Sequence, residues 1–204
     1  MKIVLISGIL GSGKTSLINY VSGIINKDKN QRIGVILNNQ GEEQINQNLY
    51  ARYIPQESLS TLALPPVHTA FRDLLIEICR NENLNFLFIE LTGIGRSWIL
   101  KNQVKVVSEA LDLYFTYAPI INVVDCSRIE LMLKSMRKLL KNGILESDYV
   151  ALNKIDIVSK EMIGEAETIV NNFNPSSKIF HVSTNTGQGI NAICKMVEKD
   201  EIRY

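Results

Sequence analysis

The chain has 204 residues, with 22 Lys and Arg against 21 Asp and Glu and 46% apolar side chains. That length suits a single α/β domain spanning residues 1–204, with a substantial buried core. A formal charge of +1 excludes the broad positive field that general nucleic-acid binders and proteins held on anionic membranes rely on, so neither partner is expected.

Residues 2–7 open the chain as a short, β-branched strand, and the stripe Leu17, Ile18, Val21, Ile24 and Ile25 predicts an amphipathic helix after it. Further strands are predicted at 34–38, 86–90, 119–125, 149–153 and 178–182, all apolar enough to be buried on both faces. Helical stripes follow the later strands. One comprises Ile129, Met132, Leu133, Met136, Leu139 and Leu140; a second Ile163, Ala166, Ile169, Val170 and Phe173; a third Ile190, Ile193, Cys194 and Val197. Alternation of this kind predicts an α/β fold, a mostly parallel central sheet flanked by helices on both faces. The stretches 39–65 and 93–112 resist assignment and are read as functional connections, the second with a weak helical pattern over 104–111. No apolar run approaches the roughly 18 residues of a spanning helix. Cys79, Cys126 and Cys194 are scattered and form no CxxC pair. A cytoplasmic protein without leader, anchor or disulfide framework is expected.

The strongest motif is Gly8-Ile9-Leu10-Gly11-Ser12-Gly13-Lys14-Thr15, which fits GxxxxGK[ST] between a predicted strand and a predicted helix. Glycines let backbone N–H groups turn around phosphate oxygens, and the helix start adds its positive dipole end. Gly8, Gly11, Ser12, Gly13 and Ser16 belong to this cradle. Lys14 neutralises the β- and γ-phosphates, and the Thr15 hydroxyl is a magnesium ligand. The competing reading is a glycine-rich turn with no ligand.

Asn153-Lys154-Ile155-Asp156 ends a late strand in an NKxD pattern. Guanine offers N1–H and N2–H₂ as adjacent donors that one carboxylate accepts together, and adenine offers neither there. Asp156 is the predicted acceptor. Asn153 orients the loop and the other base edge, and the Lys154 stem lies along the purine. Backbone N–H groups of Ser183, Thr184 and Asn185 are candidates for the guanine oxygen; the plain alternative makes Asp156 a helix cap. Between these motifs, Phe86 to Gly93 is an apolar strand ending in ExxG, where Glu90 is placed to hold magnesium and Gly93 to approach a γ-phosphate.

In this order the motifs resemble the metallocentre-assembly GTPases of the SIMIBI class: the urease nickel-insertion GTPase, the hydrogenase nickel GTPase and CobW-like proteins. The resemblance implies a P-loop fold and a slow, magnesium-dependent hydrolysis of GTP to GDP. It also implies a nucleotide-controlled homodimer that delivers nickel, zinc, cobalt or a corrinoid to a client enzyme. Glu90, in place of the usual Asp, is a mark of this branch. Two departures stand out. The family's cysteine motif is replaced by Pro66-Val67-His68-Thr69, leaving His68 as the candidate transition-metal ligand, with a helix-start or packing histidine as the competing reading. Asn39 is neutral where relatives carry an acid, so Glu42 or Glu43 is the candidate to supply charge in the first switch. The neutral Asn39 favours a second reading, a GTP-binding regulatory module with little turnover. A third, a small-molecule kinase, would want clustered mobile arginines, whereas Arg72, Arg80 and Arg96 are scattered. His181, Cys126 and Arg96 are read as structural or solvated, and Trp98 as either a partner anchor or a cover for the sheet.

Overall fold

The computed structural model describes residues 1–29, 31–37, 50–53, 67–81, 83–91 and 97–199. Glu42, Glu43, Asn39, Gly93 and Arg96 lie outside the described residues, as does most of the stretch 39–65.

In chain order the elements are β1 (Lys2–Ser7), α1 (Lys14–Lys29), β2 (Ile33–Leu37), β3 (Tyr50–Tyr53), α2 (Val67–Asn81), β4 (Phe86–Glu90), α3 (Ser97–Ala110), β5 (Thr116–Tyr117), β6 (Ile121–Asp125), α4 (Ile129–Ser135), α5 (Arg137–Leu145), β7 (Tyr149–Asn153), α6 (Lys160–Phe173), β8 (Lys178–His181) and α7 (Ile190–Lys199). The strand order is β3-β2-β4-β1-β6-β7-β8, and every described pairing is parallel. β5 occupies the same edge of β1 as β6, pairing Lys2 and Ile3 where β6 pairs Ile6 and Ser7.

Alternation along β1 sorts the core into two faces, as the period of two in a strand requires. Val4 and Ile6 pack with Leu17, Ile18, Val21 and Val197 beneath α1 and α7. Ile3 and Leu5 pack with Phe71, Leu75, Val104 and Val107 beneath α2 and α3. Val124, Val150 and Leu152 pack with Ile144, Ala166 and Val170 beneath α5 and α6. Two end contacts tie the layers together. Lys2 Nζ donates to Val197 O at 3.1 Å and Glu198 O at 2.9 Å, a cation on the C-terminal turn of α7 where carbonyls lack helical partners. Glu146 Oε2 accepts from Ser97 N at 3.0 Å and Ser97 Oγ at 3.1 Å, so the residue that caps the C-terminus of α5 holds the start of α3.

Several expectations are corrected. β3 lies within the stretch 39–65, and α3 occupies most of the stretch 93–112. The stripe from Ile129 to Leu140 is two helices, broken at Met136, whose φ of −134° and ψ of 32° leave the helical region. β8 is an edge strand with Lys178 and His181 exposed rather than a strand buried on both faces. Among the described residues no helix is long and apolar enough to cross a membrane.

The order of the strands positions the site. After β1 the chain crosses to β2 and β3, returns through β4, and then moves to the opposite side for β6, β7 and β8. The reversal leaves a crevice at the carboxyl end of β1, the place where open parallel sheets bind ligands. Glu90, Asp125 and Asn153 are the last residues of β4, β6 and β7 and face that end.

Candidate nucleotide site

The turn from β1 into α1 is built by glycines at positive φ: 143° at Gly8, 75° at Gly11 and 97° at Gly13. A side chain is excluded at Gly8 and Gly13 on two counts. Besides the backbone strain, a Cβ on Gly8 would collide with Val123 O, and one on Gly13 with Asn153 Nδ2. Ser12 Oγ is buried with no hydrogen-bond partner among the described residues, an unmet polar group in the wall of the cradle.

Lys14 and Thr15, the first residues of α1, meet Glu90. Thr15 Oγ1 donates to Glu90 Oε2 at 3.0 Å, and Lys14 Nζ lies 3.6 Å from Glu90 Oε1 and 3.4 Å from Ile9 O. Burial lowers the Lys14 pKa from its ordinary value, and the Glu90 carboxylate works against that shift. A hydroxyl and a carboxylate on adjacent oxygens form a hard-oxygen pair of the kind Mg²⁺ accepts, so the donor set fits that ion. Ser16 continues α1 directly after this pair.

Asn153 joins the two motifs. Fully buried, it donates through Nδ2 to Ser12 O at 2.8 Å and Thr184 Oγ1 at 3.2 Å, and Oδ1 accepts from Thr184 N at 3.0 Å. Its polar atoms are committed to the protein, so it is a strut between the phosphate loop and the 183–187 loop. This is the loop-orienting part of the expectation for Asn153. Asn153→Ala strands Ser12 O and the Thr184 N–H, each worth about 1–3 kcal/mol when left unpaired in the interior. The expected result is a fall of about 5–10 °C in melting temperature, together with weaker stabilisation of the variant by added nucleotide. Thermal unfolding with and without GTP checks both.

Lys154 adopts the left-handed conformation (φ 65°), and its Nζ lies 2.7 Å from Asp125 Oδ2. Asp156 is exposed; hydrogen bonds from Ser183 and Asn185 hold its carboxyl below the usual carboxylate range. Asn185 Nδ2 donates to Asp156 Oδ2 at 3.2 Å. The backbone donors expected to meet a guanine oxygen are engaged within their own loop. Thr184 N–H goes to Asn153, and those of Asn185 and Thr186 go to Ser183 Oγ at 3.2 and 3.0 Å. Ser183 N–H goes to Gln188 O at 3.0 Å. Asn185 meets Asp156 through its side chain, and Ser183 Oγ organises the turn.

Asp125 and Arg128 complete the crevice and were not singled out from the sequence. Asp125 accepts from Ser127 N at 3.0 Å, Ser127 Oγ at 2.6 Å and Arg128 Nε at 2.8 Å. Burial by itself pushes the Asp125 pKa up, but hydrogen bonds from Lys154, Ser127 and Arg128 prevail and hold it below the usual carboxylate range. The available signal was an apolar strand ending in an acid, the pattern that drew attention to Glu90.

The remaining candidates sit apart. His68 falls in the first turn of α2, and its side chain lies outside the described residues. Among the described residues no group of three or more His, Cys, Asp or Glu side chains is placed to hold a metal. His181 is exposed and satisfied by Glu167, Nε2 to Oε1 at 2.7 Å. Cys126 is fully buried, its thiol pushed up to about 12 first by burial and then by Asp125. Trp98 is 52% exposed on α3.

Residues 2–181 match the family described as CobW/HypB/UreG, nucleotide-binding domain. The chain is 26% identical over 218 residues to zinc-regulated GTPase metalloprotein activator 1 of Dictyostelium discoideum, over 89% of this chain and 45% of that protein. It is similar in structure to the Zn(II)-bound YjiA GTPase from E. coli, with a TM-score of 0.64 at 18% identity, over 94% of this chain and 62% of that one. Hydrogenase maturation factor HypB from Archaeoglobus fulgidus gives a TM-score of 0.62 at 16% identity, over 97% and 89% of the two chains. At these identities the structural likeness speaks for the fold, an α/β P-loop fold of the SIMIBI type. The chain spans about half the length of the curated relatives it matches.

Proposed function

We propose that this chain, which belongs to the CobW/HypB/UreG family of nucleotide-binding domains, binds GTP with Mg²⁺ and hydrolyses it slowly to GDP and phosphate. Its nucleotide state then governs the delivery of a metal or cofactor to a client metalloprotein, with a nucleotide-dependent homodimer as the working form. The observation that carries the reading is the joining of two half-sites at one crevice. Lys14, Thr15 and Glu90 meet around the phosphate loop, and Asn153 ties that loop to the segment bearing Asp156 and Asn185.

In this reading Lys14 balances charge on the β- and γ-phosphates, and backbone N–H groups of residues 11–15 hold their oxygens. Thr15 and Glu90 would hold Mg²⁺, which supplies further charge neutralisation along the phosphates when bound. Asp156 accepts from the guanine ring once Asn185 yields its hydrogen bond. The delivery role draws on the names of the relatives, a zinc-regulated activator and a Zn(II)-bound GTPase. The cargo of this chain, whether zinc, nickel, cobalt or a corrinoid, belongs to the proposal, as does His68 as a transition-metal ligand.

Calorimetry with Mg²⁺ present, followed by single-turnover hydrolysis, tests the reading. GTP and GDP are expected to bind, ATP about a hundredfold more weakly or less, and GTP to release phosphate. No heat from either guanine nucleotide would overturn it. Binding without phosphate release would favour the regulatory module that the neutral Asn39 suggests.

A further inference from the structure

Two strand-end carboxylates border the crevice, and the proposed reaction uses only Glu90. The other, Asp125, has a side chain only 3% exposed and gathers two cations on one oxygen: Oδ2 lies 2.8 Å from Arg128 Nε and 2.7 Å from Lys154 Nζ. Those cations point the cluster toward different halves of the site. Arg128 Nη2 donates to Leu10 O at 3.1 Å and stands 2.8 Å from where a Cβ on Gly11 would be. Arg128 therefore lies against the phosphate loop. Lys154 stands two residues before Asp156, at the root of the base-reading segment.

One carboxylate under two cations leaves a surplus positive charge at the lip of the loop. Arg128 is 40% exposed, and its Nη1 makes no hydrogen bond among the described residues. A guanidinium fixed at Nε and at one Nη2 hydrogen keeps three N–H donors in a rigid plane, the geometry that suits phosphate oxygens. A nucleotide with its phosphates on residues 8–15 and its base at Asp156 would bring its sugar–phosphate junction past this pair of cations.

The geometry points to Arg128 as a nucleotide-binding residue which, propped by Asp125 against the phosphate loop, contacts the phosphate at the sugar end of a bound guanine nucleotide. The inference rests on the reading of this site as a GTP site and adds a binding residue to it. Asp125 is then a positioning residue, acting through Arg128 and Lys154.

The test is calorimetric or competitive binding of GTP, GDP, GMP and guanosine to the unaltered chain, Arg128→Ala and Arg128→Lys. Arg128→Ala is expected to weaken GTP, GDP and GMP alike, by about tenfold or more, as for loss of a hydrogen bond to a charged group, and to leave guanosine unchanged. Arg128→Lys should recover part of the loss, because an ammonium restores the charge without the fork. Equal losses that include guanosine would make Arg128 a prop for the base segment and overturn the assignment. A loss confined to GTP would move the cation to the γ-phosphate and overturn it as well, and unchanged binding throughout would do the same. These results leave the GTP reading standing as long as the unaltered chain binds. If the unaltered chain binds none of the nucleotides, that reading and this inference fall together.

Discussion

Lys14→Ala is expected to remove measurable GTP hydrolysis and to weaken GTP binding by about a hundredfold or more, the scale on which a single preorganised electrostatic donor acts. Three features of the residue support so large an effect. Lys14 is buried at the first turn of α1, where the helix dipole already favours an anion. Its ammonium is poorly solvated, as the lowered pKa reports, so it has more to gain from a phosphate than a lysine in water. Its charge also faces Glu90 at 3.6 Å, and without it that carboxylate would border the phosphate site alone and repel the nucleotide. Lys14→Arg should not rescue function, because a planar guanidinium does not fit a buried slot shaped for an ammonium. Phosphate release in single turnover, measured within tenfold of the unaltered rate for Lys14→Ala, would remove Lys14 from this role.

The parts of the site that were legible in the sequence are those whose chemistry is consecutive. Gly8 to Thr15 and Asn153 to Asp156 each place their functional groups within one turn of chain, beside strands whose continuous apolar runs are easy to read. What stayed hidden depends on groups far apart in sequence. The bond from Arg128 to Leu10 O spans 118 positions, and that from Asn153 to Ser12 O spans 141. No local pattern reports that Asn153 braces the phosphate loop, or that Asp125 is paired twice.

The fold shows the same division. β5 is two residues long and β3 four, too short for alternation to stand out from a loop. In α3 the buried positions Ser97, Leu100, Val104 and Val107 keep a helical spacing, but the first of them is a serine and the exposed Trp98 follows it. Only the second half of that helix therefore carried a visible stripe. The break at Met136 has no glycine or proline beside it, and nothing in the local sequence explains it.

Asp156→Asn is expected to exchange the base preference, weakening GTP by about a hundredfold while admitting xanthosine triphosphate. The carboxylate presents two acceptors, matching the paired N1–H and N2–H₂ donors of guanine. An asparagine presents one acceptor and one donor. Against guanine, its amide group meets another donor; against xanthine, the same group meets the carbonyl at position 2, and the acceptor keeps N1–H. The surroundings favour a clean exchange, because Asp156 is exposed and its partner Asn185 contributes a rotatable amide. Flipping the Asn185 amide presents its oxygen to the new amide, so the 183–187 turn, held independently by Ser183 and Asn153, need not move. Competition of GTP, xanthosine triphosphate and ATP against a labelled guanine nucleotide measures the switch. An unchanged order of preference would leave Asp156 as a cap on the turn after β7 and move base recognition elsewhere. Loss of all three ligands with a lowered melting temperature would assign Asp156 a structural role in holding the 183–187 turn.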